Sequence, residues 1–134
     1  DNDDANNLTE YLYDTDPNDP NSDSDGIPDG WEIENNLDPL IDDGDQDPDG
    51  DGLTNLQEYN LDINPQSADT DNDGIDDLWE DTYSDVMDPN DDSDASADSD
   101  GDGRDNLLEY QDGSEPNDVR IRRCRAGYQR GCPR

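Results

Sequence analysis

The stretch "DPDGDGLTNLQEY", residues 47–59, places three aspartates at alternate positions, then a glycine, then a glutamate seven residues after the last aspartate. In a twelve-residue calcium loop, side chains at positions one, three, five and twelve and the carbonyl of position seven bind the ion in this order. Position nine binds the ion or a water, and glycine at position six permits a sharp turn. Because the carboxylates would repel each other without a cation, the stretch predicts a metal-binding loop.

The pattern recurs along most of the chain. Four copies are complete, at 21–32, 47–58, 69–80 and 98–109, and a fifth, at 1–10, lacks its first two positions. Successive closing glutamates are 22, 26, 22 and 29 residues apart. Copies that end at Glu10, Glu58 and Glu109 carry Asn at position nine and Tyr after the glutamate, whereas the other two carry Asp at nine and Trp at eleven. The sequence therefore predicts an array of loops over residues 1–118 in which two kinds alternate.

This alignment defines the predicted calcium ligands, with position seven contributing its backbone carbonyl. About five ions or more are expected. Magnesium fits less well because it prefers strict octahedral geometry, and zinc fits poorly because there is no His and both Cys are remote from the loops. The predicted ligands are Asp1, Asp3, Asn7, Glu10, Asn21, Asp23, Asp25, Ile27, Asp29, Glu32, Asp47, Asp49, Asp51, Leu53, Asn55, Glu58, Asp69, Asp71, Asp73, Ile75, Asp77, Glu80, Asp98, Asp100, Asp102, Arg104, Asn106 and Glu109.

The composition alone is that of a disordered chain. The 134 residues are only 25% hydrophobic and carry a formal charge of −34. All 41 acidic residues and one arginine lie in residues 1–118, which gives that segment a charge of −40, and six arginines give residues 119–134 a charge of +6. The acidity argues against nucleic acid and anionic membranes as partners, and the apolar runs are too short for a membrane span. The fixed order of the acids argues against random disorder.

Each loop is expected to open a short helix that depends on the metal-ordered loop, because isolated helices of this length are marginal in water. The predicted helices are 29–36, 53–60, 76–84 and 105–111, and X-Pro steps end them. Aromatic and leucine side chains are expected to form small clusters between neighbouring copies, in preference to a platform for sugars; they include Tyr11, Trp31, Leu37, Leu56, Tyr59, Leu61, Trp79, Leu107 and Tyr110.

Acidic residues between the loops allow two interpretations: they are additional calcium ligands, or they form a solvated acidic surface. They include Asp14, Asp16, Asp38, Asp42, Asp43, Asp45, Asp62, Asp88, Asp91 and Asp92.

The apolar residue of the loops lies at position seven, as in Ile27, Leu53 and Ile75, whereas EF-hands place it at eight. With the Asp-Pro steps and the Glu-Tyr endings, this resembles the thrombospondin type 3 repeat family, and most closely its bacterial extracellular members, over about residues 1–118. The resemblance implies an elongated fold with a minimal hydrophobic core and little regular structure, in which tandem loop and short-helix repeats wrap around calcium ions. It also implies an extracellular or cell-surface location.

The tail, residues 119–134, departs from the pattern. The alternation in "VRIR" from Val119 and a turn at Ala126-Gly127 suggest a hairpin, closed by a Cys124–Cys132 disulfide; free thiols or bonds to another chain are alternatives. The six arginines of this tail suit either docking on the acidic body of a neighbouring copy, head to tail, or a neighbouring domain.

The function expected from these patterns is structural, and no enzyme activity is expected, because no nucleophile lies beside a base and there is no His or Lys. The primary reading is a calcium-binding array that serves as a rigid spacer, stalk or filament element of an extracellular bacterial protein. The alternative is a calcium-dependent adhesion or interaction module that binds another protein or a glycan.

Overall fold

The chain forms short helices joined by acidic loops. The structure, a computed structural model, describes residues 3–119. Its elements are α1 Asn7–Tyr13, α2 Asp29–Glu34, α3 Asn55–Leu61, α4 Asp77–Thr82, a 3-10 turn at Asp94–Ser96, and α5 Asn106–Asp112. Residues 3–119 contain no β-strand, and no helix in this range is long and apolar enough to span a membrane. The prediction of little regular structure is confirmed.

All five helices begin at position nine of a predicted loop, and every one except α2 follows a residue whose side chain caps it. The Thr54 hydroxyl accepts a hydrogen bond from the Gln57 N–H while the Gln57 side chain accepts one from the Thr54 N–H, and Asp105 accepts one from the Leu108 N–H. These bonds satisfy amides that have no partner inside a helix. The predicted starts at 53, 76 and 105 are therefore one or two residues early, because the residues up to the cap belong to the loops.

The helices end after at most two turns. Asp14, Asp62 and Gly113 follow the three seven-residue helices in the left-handed conformation, with φ of 61°, 57° and 69°. In this conformation the backbone cannot continue the helix, and its N–H bonds the exposed helix carbonyls instead. An X-Pro turn follows, as at Asp16-Pro17, where the Asp19 N–H donates to the Asp16 carbonyl over 2.8 Å.

The described residues divide into two packing units, 3–70 and 71–119. In the first unit the rings of Trp31 and Tyr59 meet edge to face with centroids 5.4 Å apart. A Cβ on Gly26, where φ is +105°, would lie 3.3 Å from a methyl carbon of Leu56. Helix α3 thus lies against the Trp-bearing loop 21–32 through a leucine at position ten and the tyrosine after the glutamate.

The second unit repeats this contact. Trp79 lies edge to face with Tyr110 at 5.3 Å, and the hydroxyl of Tyr110 donates to Asp76 over 2.6 Å. A small apolar cluster of Ile75, Met87 and Ala95 lies beneath, with Leu107 packed against it. The predicted aromatic and leucine clusters are therefore confirmed for the tryptophans, for Tyr59 and Tyr110, and for Leu56 and Leu107.

One member of that prediction is wrong. Tyr11 on α1 is 78% exposed, and Leu8 and Leu12 beside it are 66% and 69% exposed. The reason is that α1 has no Trp-bearing loop against it among the described residues, whereas α3 and α5 each have one. The predicted tail hairpin, with Cys124 and Cys132, lies outside the described residues beyond Val119.

The interior is no more apolar than polar. Among the described residues the buried apolar side chains are six of Ile, Leu, Met and Ala together with four prolines, against eleven polar or charged ones. The largest buried side chains include Ile27, Leu53 and Ile75 together with four glutamates. So small an apolar core offsets little of the conformational entropy lost on folding, and the buried carboxylates add a cost of their own.

Candidate metal sites

The loop aspartates at positions three and five are held in one orientation by the backbone. Asp23 accepts a hydrogen bond from the Asp25 N–H at 3.2 Å, and Asp25 accepts one from the Ile27 N–H at 2.8 Å. The same two bonds form in the loops 47–58, 69–80 and 98–109. Each of these bonds uses the Oδ1 atom. In Asp23, Asp25, Asp49, Asp100 and Asp102 the Oδ2 atom is buried without a hydrogen-bond partner.

Position one closes the turn. Asp98 accepts hydrogen bonds from the N–H groups of Gly101 and Gly103 at 2.9 and 3.0 Å, and Asp47 does the same in its loop. Carboxylate oxygens that lie within 4.8 Å of one another form groups that could hold a metal ion. Four of these groups each lie inside a single unit: Asp23, Asp25 and Glu32; Asp47, Asp49 and Asp51; Asp73, Glu80 and Asp94; and Asp98, Asp100 and Asp102.

The glutamates at position twelve point back at these loops from inside the helices. Since each helix begins at position nine, its glutamate is the fourth helical residue, and helical side chains tilt toward the N-terminus. Glu32 and Glu80 have no exposed surface. Neither carboxylate accepts a hydrogen bond at either oxygen, although both are surrounded by acids. A carboxylate in this position requires either a proton or a cation.

The raised pKa values of three closing glutamates also indicate that these carboxylates need a proton or a cation. Burial, and then the charges of Asp73 and Asp71, raise the pKa of Glu80 to about 9. Burial, and then Asp23 and Asp25, raise the pKa of Glu32 to about 9. The pKa of Glu109 is also raised by burial, although a hydrogen bond from Ser114 and the charge of Arg104 oppose this.

Two acids between the loops join the clusters. Asp94 lies with Asp73 and Glu80, and its Oδ1 is buried without a hydrogen-bond partner while Oδ2 accepts from the Asp88 N–H at 2.7 Å. Burial raises the pKa of Asp43, and the charge of Asp25 raises it further. Sequence reasoning left Asp43 open and missed Asp94. No fixed spacing marks them, since Asp43 lies five residues after Asp38 of one Asp-Pro step and Asp94 lies six residues after Asp88 of another.

Side chains at position nine form hydrogen bonds that fix the loops, and they are not members of the carboxylate groups described above. Both oxygens of Asp29 accept hydrogen bonds from Ser22, at 2.7 Å from its N–H and 2.7 Å from its hydroxyl. Asn55 and Asn106 are fully buried and donate to the segments that carry Asp43 and Asp94. Asn7 is exposed. The Asn residues that the sequence predicted as ligands therefore also have a positioning role, which the spacing did not indicate.

The remaining predicted ligands vary in burial. The side chains of Ile27, Leu53 and Ile75 are buried at position seven, and that of Arg104 instead pairs with Asp112 at 2.8 Å. Asp69 is half-buried, and Asn21 accepts a hydrogen bond from the Ser24 N–H at 2.6 Å. Asp1 lies outside the described residues. The buried ligands of this set are Asp3, Glu10, Glu58 and Asp77. Asp4, which replaces the glycine of the first loop, adopts φ of 68°, a conformation that a short polar side chain tolerates.

Comparison with known proteins leaves the resemblance at the level of the motif: no family model, curated protein or solved structure matches the chain. The donors in the described clusters are carboxylate oxygens. This set fits a hard divalent cation bound by oxygen and lacks the nitrogen or sulfur ligands that zinc prefers.

The raised pKa values predict a pH dependence for the metal-free chain. A carboxyl whose pKa is higher in the folded state stabilises the fold below its unfolded pKa of 4.5, and this stability is lost as pH rises toward about 9. In excess chelator, the helical signal in circular dichroism should therefore fall between pH 5 and 9. Glu80→Gln should reduce the fall, because an amide does not ionise.

Glu34→Gln is the matched control, since Glu34 is exposed on α2. The prediction fails if the metal-free signal is independent of pH, or if Glu80→Gln and Glu34→Gln give the same profile.

Proposed function

We propose that the chain is a calcium-binding structural module whose loops fold around calcium ions. The observation that carries this proposal is the burial of Glu32 and Glu80, whose four carboxylate oxygens accept no hydrogen bond and face aspartates. Leaving such charges without compensation costs several kcal/mol per ion. A divalent cation would remove this cost and join the loop to the helix that follows it.

Calcium suits this arrangement better than magnesium. It accepts roughly 6–8 oxygen ligands in flexible geometry, whereas magnesium requires a regular octahedron and keeps several waters. Loop aspartates, a closing glutamate and an acid from the following linker supply many oxygens from a flexible backbone. The cation would supply positive charge only. The chain would supply the oxygens, the turns that orient them and the helix that presents the glutamate.

The repulsion within residues 1–118 makes folding depend on the ion. With a charge of −40 the metal-free segment would expand, and bound cations would reduce this charge where the carboxylates lie closest together. Binding free energy would then act as folding free energy. Extracellular calcium modules bind at about 10⁻⁴–10⁻³ M, so millimolar calcium outside a cell would hold the chain folded.

A tandem array of such loops would serve as a rigid spacer, stalk or filament element of an extracellular bacterial protein. The five helix starts at position nine and the recurring loop hydrogen bonds support an array of equivalent loops. The bacterial extracellular setting comes from the motif resemblance, and the small apolar core suits a fold held by calcium.

Glu80→Gln tests the proposal by isothermal titration calorimetry. It should remove one calcium from the stoichiometry or weaken one site more than about tenfold, about 1.4 kcal/mol, because it removes a buried ligand charge. Asp81→Asn is the control, since it removes a charge from the same helix at the next residue. Equal calcium binding by both variants, or no saturable calcium binding by the unmodified chain, would contradict the proposal.

A second candidate is an interaction module, and one observation favours it. The apolar face of α1 exposes Leu8, Tyr11 and Leu12 at 66%, 78% and 69%. The equivalent leucine and tyrosine of α3, Leu56 and Tyr59, lie against a Trp-bearing loop. The occupant that fits the face is therefore another Trp-bearing acidic loop, rather than a glycan.

An N-terminal fusion tests this second function. In this fusion a second copy of residues 21–48 is joined directly before Asp1. The added Trp-bearing loop then begins 26 residues before the first loop, which is the distance between the loops 21–32 and 47–58. In calcium, hydrogen exchange of the α1 amides should slow at least about tenfold. The same fusion with Trp31→Ala in the added copy should not slow it. Equal exchange in both fusions would reject this occupant.

A further inference from the structure

Two buried asparagines each donate a hydrogen bond to an acidic linker whose aspartate lies near the candidate metal site of the preceding loop. Asn55, at position nine of the loop 47–58, donates its side-chain amide to the carbonyl of Asp43 at 3.0 Å and to its carboxylate at 3.1 Å. Asp43 in turn belongs to the acidic surroundings of Glu32, in the loop 21–32. A single side chain therefore connects two candidate metal sites.

Asn106 makes the same connection in the second unit. Its amide donates to the carbonyl of Asp94 at 2.8 Å and also contacts the sulfur of Met87. Asp94 lies with Asp73 and Glu80, whereas Asn106 belongs to the loop 98–109. Both asparagines thus donate to the backbone carbonyl of a linker aspartate, although only Asn55 also reaches the carboxylate and the linkers differ in sequence and in length.

The chemistry of the amide explains why Asn is required here. An amide side chain offers both a donor and an acceptor, whereas a carboxylate only accepts. In Asn55 and Asn106 the nitrogen is used by the linker, and Oδ1 is buried without a hydrogen-bond partner. Asp29, at the same position of a Trp-bearing loop, accepts two hydrogen bonds from its own loop and reaches no linker acid in this way.

We infer that Asn55 and Asn106 are positioning residues that couple calcium binding between paired loops, 21–32 with 47–58 and 69–80 with 98–109. This inference rests on the proposed function. An ion in the loop 47–58 would fix Asn55, which would hold Asp43 toward the site of Glu32; an ion in the loop 98–109 would act through Asn106 on Asp94 and Glu80. The coupling is reciprocal, because each ion changes the affinity of the other by the same factor.

The two tryptophans report the two units separately. Trp31 precedes Glu32 and Trp79 precedes Glu80. Fluorescence titration with calcium in the Trp79→Phe background reports the first unit, and in the Trp31→Phe background the second. Asn55→Asp, which keeps an oxygen but loses the donor, should move the Trp31 midpoint to at least about fivefold higher calcium and leave the Trp79 midpoint unchanged. Asn106→Asp should do the reverse.

Added charge and misfolding need their own controls. Asn60→Asp adds the same charge to an exposed position of α3 and should leave the Trp31 midpoint unchanged. Asn55→Ala removes the donor without adding charge and should shift the midpoint as Asn55→Asp does. Circular dichroism at saturating calcium checks that each variant folds.

The outcomes separate this inference from the proposed function. If the unmodified chain gives no saturable fluorescence response to calcium, the proposed function fails and the coupling with it. If the unmodified chain responds and Asn55→Asp and Asn55→Ala titrate like Asn60→Asp, the coupling alone is overturned. A shift of Trp31 in Asn55→Asp but not in Asn55→Ala would also overturn it, since charge would then be the cause.

Discussion

The structure depends on the burial of carboxylates in a chain with almost no positive charge. Glu32 and Glu80 are enclosed among aspartates, and Arg104 is the single basic residue of residues 1–118. Proteins bury charged groups when these are paired or bind metals. With one arginine available, pairing cannot serve the buried acids of five loops, so these acids need a proton or a bound cation, and the proposed function assigns the cation.

The local structure follows from this constraint. Backbone N–H groups take one oxygen of each loop aspartate and thereby orient the other, and the short helices present their glutamates because they begin at position nine. Apolar packing has a smaller part: edge-to-face pairs such as Trp31–Tyr59 join neighbouring loops. Such pairs contribute about 0.5–1.5 kcal/mol beyond the area they bury. They set the register between loops but cannot offset the repulsion alone.

The sequence predicts the parts that depend on fixed local spacing. The loop aspartates, the closing glutamates and four of the five helices, to within one or two residues, follow from a twelve-residue pattern, whereas α1 was not among the predicted helices. Contacts set by the linkers do not, because their sequences and lengths differ. Asp94 was missed for this reason, and the Asn55 amide was read as a ligand only, since nothing in the loop's own spacing shows that Asp43 lies beside it. The prediction for Tyr11 failed because a side chain at the right helix position still needs a partner to cover it.

The most direct test of the central claim is a calcium titration of the whole chain, followed by far-UV circular dichroism and small-angle X-ray scattering, with magnesium as the control. If calcium holds the fold, helical signal and compaction should appear together and cooperatively with calcium but not with magnesium. A chain that binds calcium yet stays expanded and without helix would contradict the account and would identify an acidic polymer that only buffers the ion.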